Sequence, residues 1–210
     1  MSLREQIASM LRDTAPGENL DMPYAASFTA EQLTAAQKMF PAERLARAAV
    51  LVPLVDRPEG LRVLLTLRAS HLKNHAGQVS FPGGRMEPDD EGPWEAALRE
   101  AREEIGLESR FIERAGYLPD HMVITGFRVT PVVAFIDPAF TLHLDQTEVA
   151  EVFEVPLEFV LDSDNHVPRD RQFAGLTVVT YDILYRGRQI WGATANMLIT
   201  LSRMLREPRS

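Results

Sequence analysis

A chain of 210 residues is long enough for one well-buried domain, or for one domain plus an extension. Its 45% hydrophobic and 25% charged residues match an ordinary soluble globular protein; no apolar run approaches the ~20 residues of a membrane span, and no signal-peptide pattern opens it. The lack of cysteine excludes disulfides, thiolate metal sites and a cysteine nucleophile, and the formal charge of −8 argues against broad nucleic-acid binding but leaves small anionic substrates open. A cytoplasmic protein without membrane or nucleic-acid partners is the expectation.

Ser2-Leu3-Arg4-Glu5 has the capping-box form, with apolar positions following at Ile7, Met10 and Leu11, so a short helix is predicted. Thr14–Ser27 reads as a linker. Thr29-Ala30-Glu31-Gln32 repeats the capping form and begins a helix to about Phe40. Residues 1–44 are therefore read as an N-terminal helical extension, and 45–210 as the main domain. The extension packs either on its own domain, which carries more weight, or on a neighbouring subunit of a homodimer.

Ala48–Val55 and Arg62–Leu67 are β-rich runs around the turn residues 56–60. Val79–Phe81 reads as a short strand entering a glycine turn. Further strands are expected at Phe111–Leu118, Val129–Ile136 and Glu148–Val155. Pro119–Arg128 reads as a loop long enough to reach a ligand, Pro156–Leu161 as a helical turn, and Asp162–Asp170 as a polar loop. Thr177–Tyr185 and Arg188–Trp191 suit a hairpin about Arg186-Gly187. Thr194 is placed as the cap of a terminal helix with Leu198, Leu201 and Leu205 on one stripe. Strands interleaved with helices make an α/β fold.

The most informative stretch is Gly83–Leu107, a glycine turn and an acidic loop followed by a helix. Pro93 suits the first helical turn, Asp89, Asp90 and Glu91 suit its electropositive end, and Gly106 suits the left-handed residue that ends it. With Glu100 at zero, Glu104 lies at about 40° and Glu103 at about 300° around the helix, so the three carboxylates share one arc. Trp94, Ala97, Leu98, Ala101 and Ile105 form a separate apolar face. A solvated acidic face with ordinary ion pairs accounts for this spacing. So does a site for Mg²⁺ or Mn²⁺, hard cations that take carboxylate oxygens.

Arg99-Glu100-Ala101-Arg102-Glu103-Glu104-Ile105-Gly106-Leu107 resembles the second half of the Nudix hydrolase box, and Glu91 keeps the seven-residue spacing before Arg99. The front half is one residue longer than the general pattern. Leu64-Leu65-Thr66-Leu67-Arg68-Ala69, Lys73, Gly77 and Phe81-Pro82-Gly83-Gly84 are similar to the signature that precedes the box in the coenzyme A pyrophosphatase branch. That signature has arginine where this chain has Lys73, so the charge survives without the planar fork. Thr125-Gly126-Phe127, Glu148–Phe153 and Trp191–Ala195 also look like this branch.

The resemblance implies a Nudix-type α/β/α sandwich with a central mixed sheet. It also implies metal-dependent cleavage of coenzyme A or acyl-CoA into 3′,5′-ADP and a 4′-phosphopantetheine species. Glu100, Glu103 and Glu104 would hold Mg²⁺ or Mn²⁺, and Arg99 would orient a carboxylate. Gly83 and Gly84, behind Pro82, would bring the backbone close to the metal–phosphate unit. Arg68 and Lys73 are candidate phosphate ligands; both are equally explicable as surface charge. Glu148, then Glu151, is the candidate general base, and Glu103 stands beside them in the catalytic group. His75 and His121 read more readily as surface residues, and Tyr117 and Phe127 as core. The alternatives are hydrolysis of other nucleoside diphosphate derivatives, such as nucleotide sugars or deoxynucleoside triphosphates, and a non-catalytic nucleotide sensor.

Overall fold

A computed structural model describes residues 1–17, 20–21, 45–123, 126–173 and 176–206. The helix expected from Thr29 to Phe40 lies outside them. The long strands β2 (Ala46–Arg57) and β3 (Gly60–Arg68) form a hairpin about the residues that marked the turn. β8 (Phe127–Ile136) runs parallel to β2 over ten register pairs, and β9 (Val149–Pro156) pairs antiparallel with β3. Two short strands, β4 (Val79–Ser80) and β5 (Gly83–Arg85), pair with β3 and β2. β6 (Ile112–Tyr117) and β7 (Asp120–Val123) both pair with β8, and β1 (Leu20–Asp21) lies parallel to β7. The result is a mixed sheet with apolar side chains on both faces, which therefore needs a layer on each side.

Helix α2 (Pro93–Ile105) covers one face: Ala96, Ala97, Ala101 and Ile105 pack on Ala49, Leu51, Val132 and Ala134. The other face is covered by α1 (Leu3–Leu11), α3 (Leu157–Leu161) and α4 (Gly192–Arg206), with a second sheet of β10 (His166–Phe173), β11 (Leu176–Tyr185) and β12 (Arg188–Ile190). This is the expected α/β/α sandwich. Ser2 and Glu5 form the capping box of α1, whose Ile7 and Leu11 are fully buried in the core of this same domain. Gly116 permits that docking, because a Cβ there would lie 2.2 Å from the Leu11 carbonyl oxygen.

Several expectations are corrected. The loop expected over Pro119–Arg128 contains β7, and Asp120 is buried against Thr130 and Arg128 at 2.7 and 2.5 Å. His121, expected at the surface, is also buried. The Asp162–Asp170 loop becomes β10, a polar strand whose order comes from pairing with β11. Across that pair, Arg171 donates to the buried Asp182 at 2.7 Å. Polar strands of this kind carry little apolar alternation for a sequence to display. Thr194 sits inside α4 instead of capping it, donating to the Val79 carbonyl at 3.1 Å. In α2, Ala96 takes a buried place while Leu98 is only half-buried. The linker at 14–27 includes β1.

Candidate active site

β4 leads into Phe81 and Pro82, both buried, and the Pro82 carbonyl accepts from Leu51 N–H at 2.9 Å. The chain then runs along β2 as β5 and passes under α2. Gly83 has φ +154, and a Cβ there would sit 2.4 Å from the Ala49 carbonyl oxygen, so only glycine keeps this strand pairing unstrained. Its N–H donates to Glu104 Oε2 at 3.3 Å. A Cβ on Gly84 would lie 2.6 Å from Glu100 Oε1, so the missing side chain leaves a seat for that carboxylate. The two glycines thus set the backbone directly against two of the box glutamates.

α2 starts at Pro93 after Gly92, which offers no side-chain cap, and it ends at Gly106 with φ +69. Arg99 is the hub of its acidic side. Nε and Nη2 donate to the two oxygens of Asp90 at 3.1 and 3.0 Å, a bidentate pair. Nη1 donates to Glu100 at 2.9 Å and to Glu103 at 3.2 Å, and Nη2 also reaches the Arg85 carbonyl at 3.1 Å. Hydrogen bonds to Asp90 and Glu100 raise the Arg99 pKa further, and Arg99 in turn holds the Asp90 carboxyl below its ordinary value.

The three box glutamates have different surroundings. Glu104 is buried, and its Oε1 lies 3.9 Å from Arg68 Nη1. Burial, then repulsion from Glu100 and to a lesser degree Glu148, pushes its carboxyl up to about 8, against the Gly83 N–H and Arg68. Burial also raises Glu100, with Glu103 and Glu148 adding repulsion and Arg99 opposing it. Glu103 is the outlier, its side chain 59% exposed at the rim. Glu148, on the turn before β9, is exposed yet felt by both Glu100 and Glu104. Its carbonyl accepts from Ala69 N–H at 2.8 Å, which ties that turn to the end of β3 beside Arg68.

Glu100, Glu104, Gly83, Gly84, Arg68 and Arg99 thus meet at one place, with Glu148 at its edge. Lys73 is not brought to it: it lies exposed on the loop between β3 and β4. Glu151 is engaged elsewhere, in a short ion pair with Arg188. Tyr117 is buried with its hydroxyl accepting from Arg114 at 3.0 Å, Phe127 packs on the core, and His75 is exposed beside Gln78. The residue missed at this site is Asp90. Its sequence position suggested only favourable charge near a helix start, whereas the folded loop turns its carboxylate back onto Arg99. The extra loop residue ahead of Glu91 was the available signal.

Among the described residues, no group of three or more Asp, Glu, His or Cys side chains is close enough together to hold a metal ion. The donor set nevertheless suits a hard cation. Two carboxylates are held in or near the core at the cost of raised pKa values, and one rests in a seat that any larger residue at position 84 would fill.

The family model for the NUDIX domain matches residues 45–175. The chain belongs to the Nudix family. Two relatives bearing the name uncharacterized Nudix hydrolase NudL, from Enterobacter sp. and Salmonella newport, are 43% identical to it over 156 and 157 residues. In each case the match covers 74% of this chain and 81% of the relative. A solved Nudix hydrolase from M. smegmatis, RenU, shares the fold with a TM-score of 0.52 at 22% identity, covering 77% of this chain and 85% of that one. This Nudix protein is accordingly a hydrolase of pyrophosphate bonds in nucleoside diphosphate derivatives, in a family whose members generally use divalent cations. No helix among its described residues is long and apolar enough to cross a membrane.

Proposed function

We propose that this Nudix hydrolase cleaves the diphosphate of coenzyme A or its thioesters, giving 3′,5′-ADP and 4′-phosphopantetheine or its acyl form. The support beyond the family is the signature from Leu64 to Gly84, whose Arg68 stands at the acidic site. Arg68 Nε is buried and lacks a hydrogen-bond partner, while Nη1 lies 3.9 Å from Glu104. A buried unsatisfied donor beside a carboxylate site is best answered by a phosphate oxygen. That unpaired nitrogen is the observation carrying the proposal.

Glu100 and Glu104 would hold Mg²⁺ or Mn²⁺, with Glu103 completing the group from the rim. When bound, the cation neutralises the anhydride and lowers the pKa of water. Arg99 holds Glu100 against Gly84 and keeps Glu103 within reach. Glu148, with Glu103 as the other candidate, accepts the proton of the attacking water. Oxygen from that water bonds to one phosphorus, the bridging P–O bond breaks, and the departing phosphate keeps the electron pair. Arg68 meets the charge that accumulates on the phosphate oxygens, and Lys73 adds a mobile charge that draws the substrate inward.

Purified protein with Mg²⁺ and with Mn²⁺ is offered coenzyme A, acetyl-CoA, a nucleotide sugar and a deoxynucleoside triphosphate. Release of 3′,5′-ADP from the first two, at a higher kcat/KM than any turnover of the others, is expected. Turnover of the nucleotide sugar without release from coenzyme A overturns the assignment.

A further inference from the structure

Arg47 and Arg85 are left out of the site just described. Both are exposed, and among the described residues neither guanidinium has a hydrogen-bond or ion-pair partner. Free arginines of this kind contrast with Arg57, Arg62, Arg99, Arg128 and Arg171, each paired to a carboxylate in this acidic chain. The sheet brings them together: Arg85 on β5 pairs with Ala48 on β2, and the Met86 N–H donates to the Arg47 carbonyl at 3.0 Å. Both line a groove of about 610 Å³ with Met86, Glu87, Pro88 and Asp90. Asp90 is the shared wall, since its carboxylate is the one that grips Arg99.

The geometry points to this groove as a second anion subsite, which recognises a phosphate monoester on the nucleoside half of the substrate. The inference rests on the diphosphatase reading for what else the substrate contains. Two guanidiniums match a dianionic phosphate in charge and in hydrogen-bond geometry. Met86 and Pro88 offer apolar contact for a planar base, and the exposed Glu87 can accept from an exocyclic amine or a ribose hydroxyl. The size is that of an ordinary small-molecule pocket. An anion in the groove is not the reacting anhydride, because the Asp90–Arg99 pair stands between the groove and Glu104 with Arg68. It is a further charge on the same molecule, and Arg47 and Arg85 become the residues that select for it.

The test compares 3′,5′-ADP with 5′-AMP by calorimetric titration of the full chain in EDTA. The wild-type protein should bind the bisphosphate about tenfold more tightly or better. R47A and R85A should each remove most of that preference, leave the affinity for 5′-AMP in place and, both being exposed positions, leave the melting temperature unchanged. Equal affinities in the wild type, or a preference that survives the double variant, overturn the subsite. Hydrolysis of coenzyme A and of its 3′-dephospho form separates the two readings. A protein that cleaves neither yet prefers the bisphosphate retains the subsite and loses the diphosphatase assignment. One that cleaves both with the same kcat/KM and shows no binding preference loses only the subsite.

Discussion

Glu104 is where the sequence is least like the environment it meets. A carboxylate on the boundary between the core and the acidic arc of α2 keeps its proton up to about 8, against an ordinary value of 4.5. The folded state therefore holds a proton that the unfolded chain releases, and metal-free stability falls as pH rises from about 4.5 to about 8 and levels off above that. Glu104→Gln removes this slope. In EDTA the variant should melt above the wild type at pH 8 and close to it at pH 5, while turnover with metal drops by roughly 100-fold or more. A wild-type-like slope in thermal melts of the variant would remove Glu104 as the source. The neighbouring glycines separate folding from chemistry. Gly83→Ala drives a Cβ into the β2 backbone at a positive φ, and urea titration should show a loss of roughly 2 kcal/mol. Gly84→Ala meets only the flexible end of Glu100, so activity should fall while the urea midpoint hardly moves. Equal destabilisation by both substitutions would contradict that division.

Between elements, the decisive contact joins the loop before α2 to the helix itself. Asp90 fixes Arg99, and Arg99 fixes Glu100 and Glu103, so one ion pair outside the carboxylate group sets the position of two of its members. Asp90→Asn should weaken Mn²⁺ binding by roughly tenfold with the fold intact, read by calorimetry. Unchanged affinity would mean that Arg99 holds its place through Glu100 and the Arg85 carbonyl alone. α1 belongs to the same level of organisation. Ile7 and Leu11 are fully buried against the sheet, and Thr14 Oγ1 accepts from Tyr117 N–H at 2.8 Å, so the start of the chain is stitched to β6. Ile7→Ala should cost about 3 kcal/mol in urea titration. A loss below about 1 kcal/mol would indicate that α1 docks loosely. These tertiary ties explain which elements were legible. α2 carried its own punctuation in Pro93, Gly106 and an amphipathic stripe, and the capping box of α1 was equally local. β7 and β10 had no such marks, because an edge strand of mixed polarity is ordered by its hydrogen-bonded partner and not by its own side-chain pattern.

Across the whole molecule, the sheet separates the two halves of the work. One face, with α1, α3, α4 and the second sheet, is a large apolar core. The other carries α2, whose buried side anchors the glutamates near the ends of β3 and β5. A cation bound there must displace the Glu104 proton, so binding and pH are linked. Mn²⁺ should raise the melting temperature more at pH 8 than at pH 6 and release protons into weakly buffered solution. An equal shift at both values would place the metal away from Glu104. What the sequence determined by itself was the family pattern: the glutamate spacing on one helical arc, the glycine turn ahead of it, and the α/β alternation, all properties of short contiguous segments. Only the tertiary structure decided which carboxylates are buried, that Asp90 rather than Glu91 grips Arg99, that Lys73 stays in solvent, and that Arg47 and Arg85 share a groove. Each of those depends on residues far apart along the chain being brought together by strand register, and no local periodicity encodes a register between distant strands.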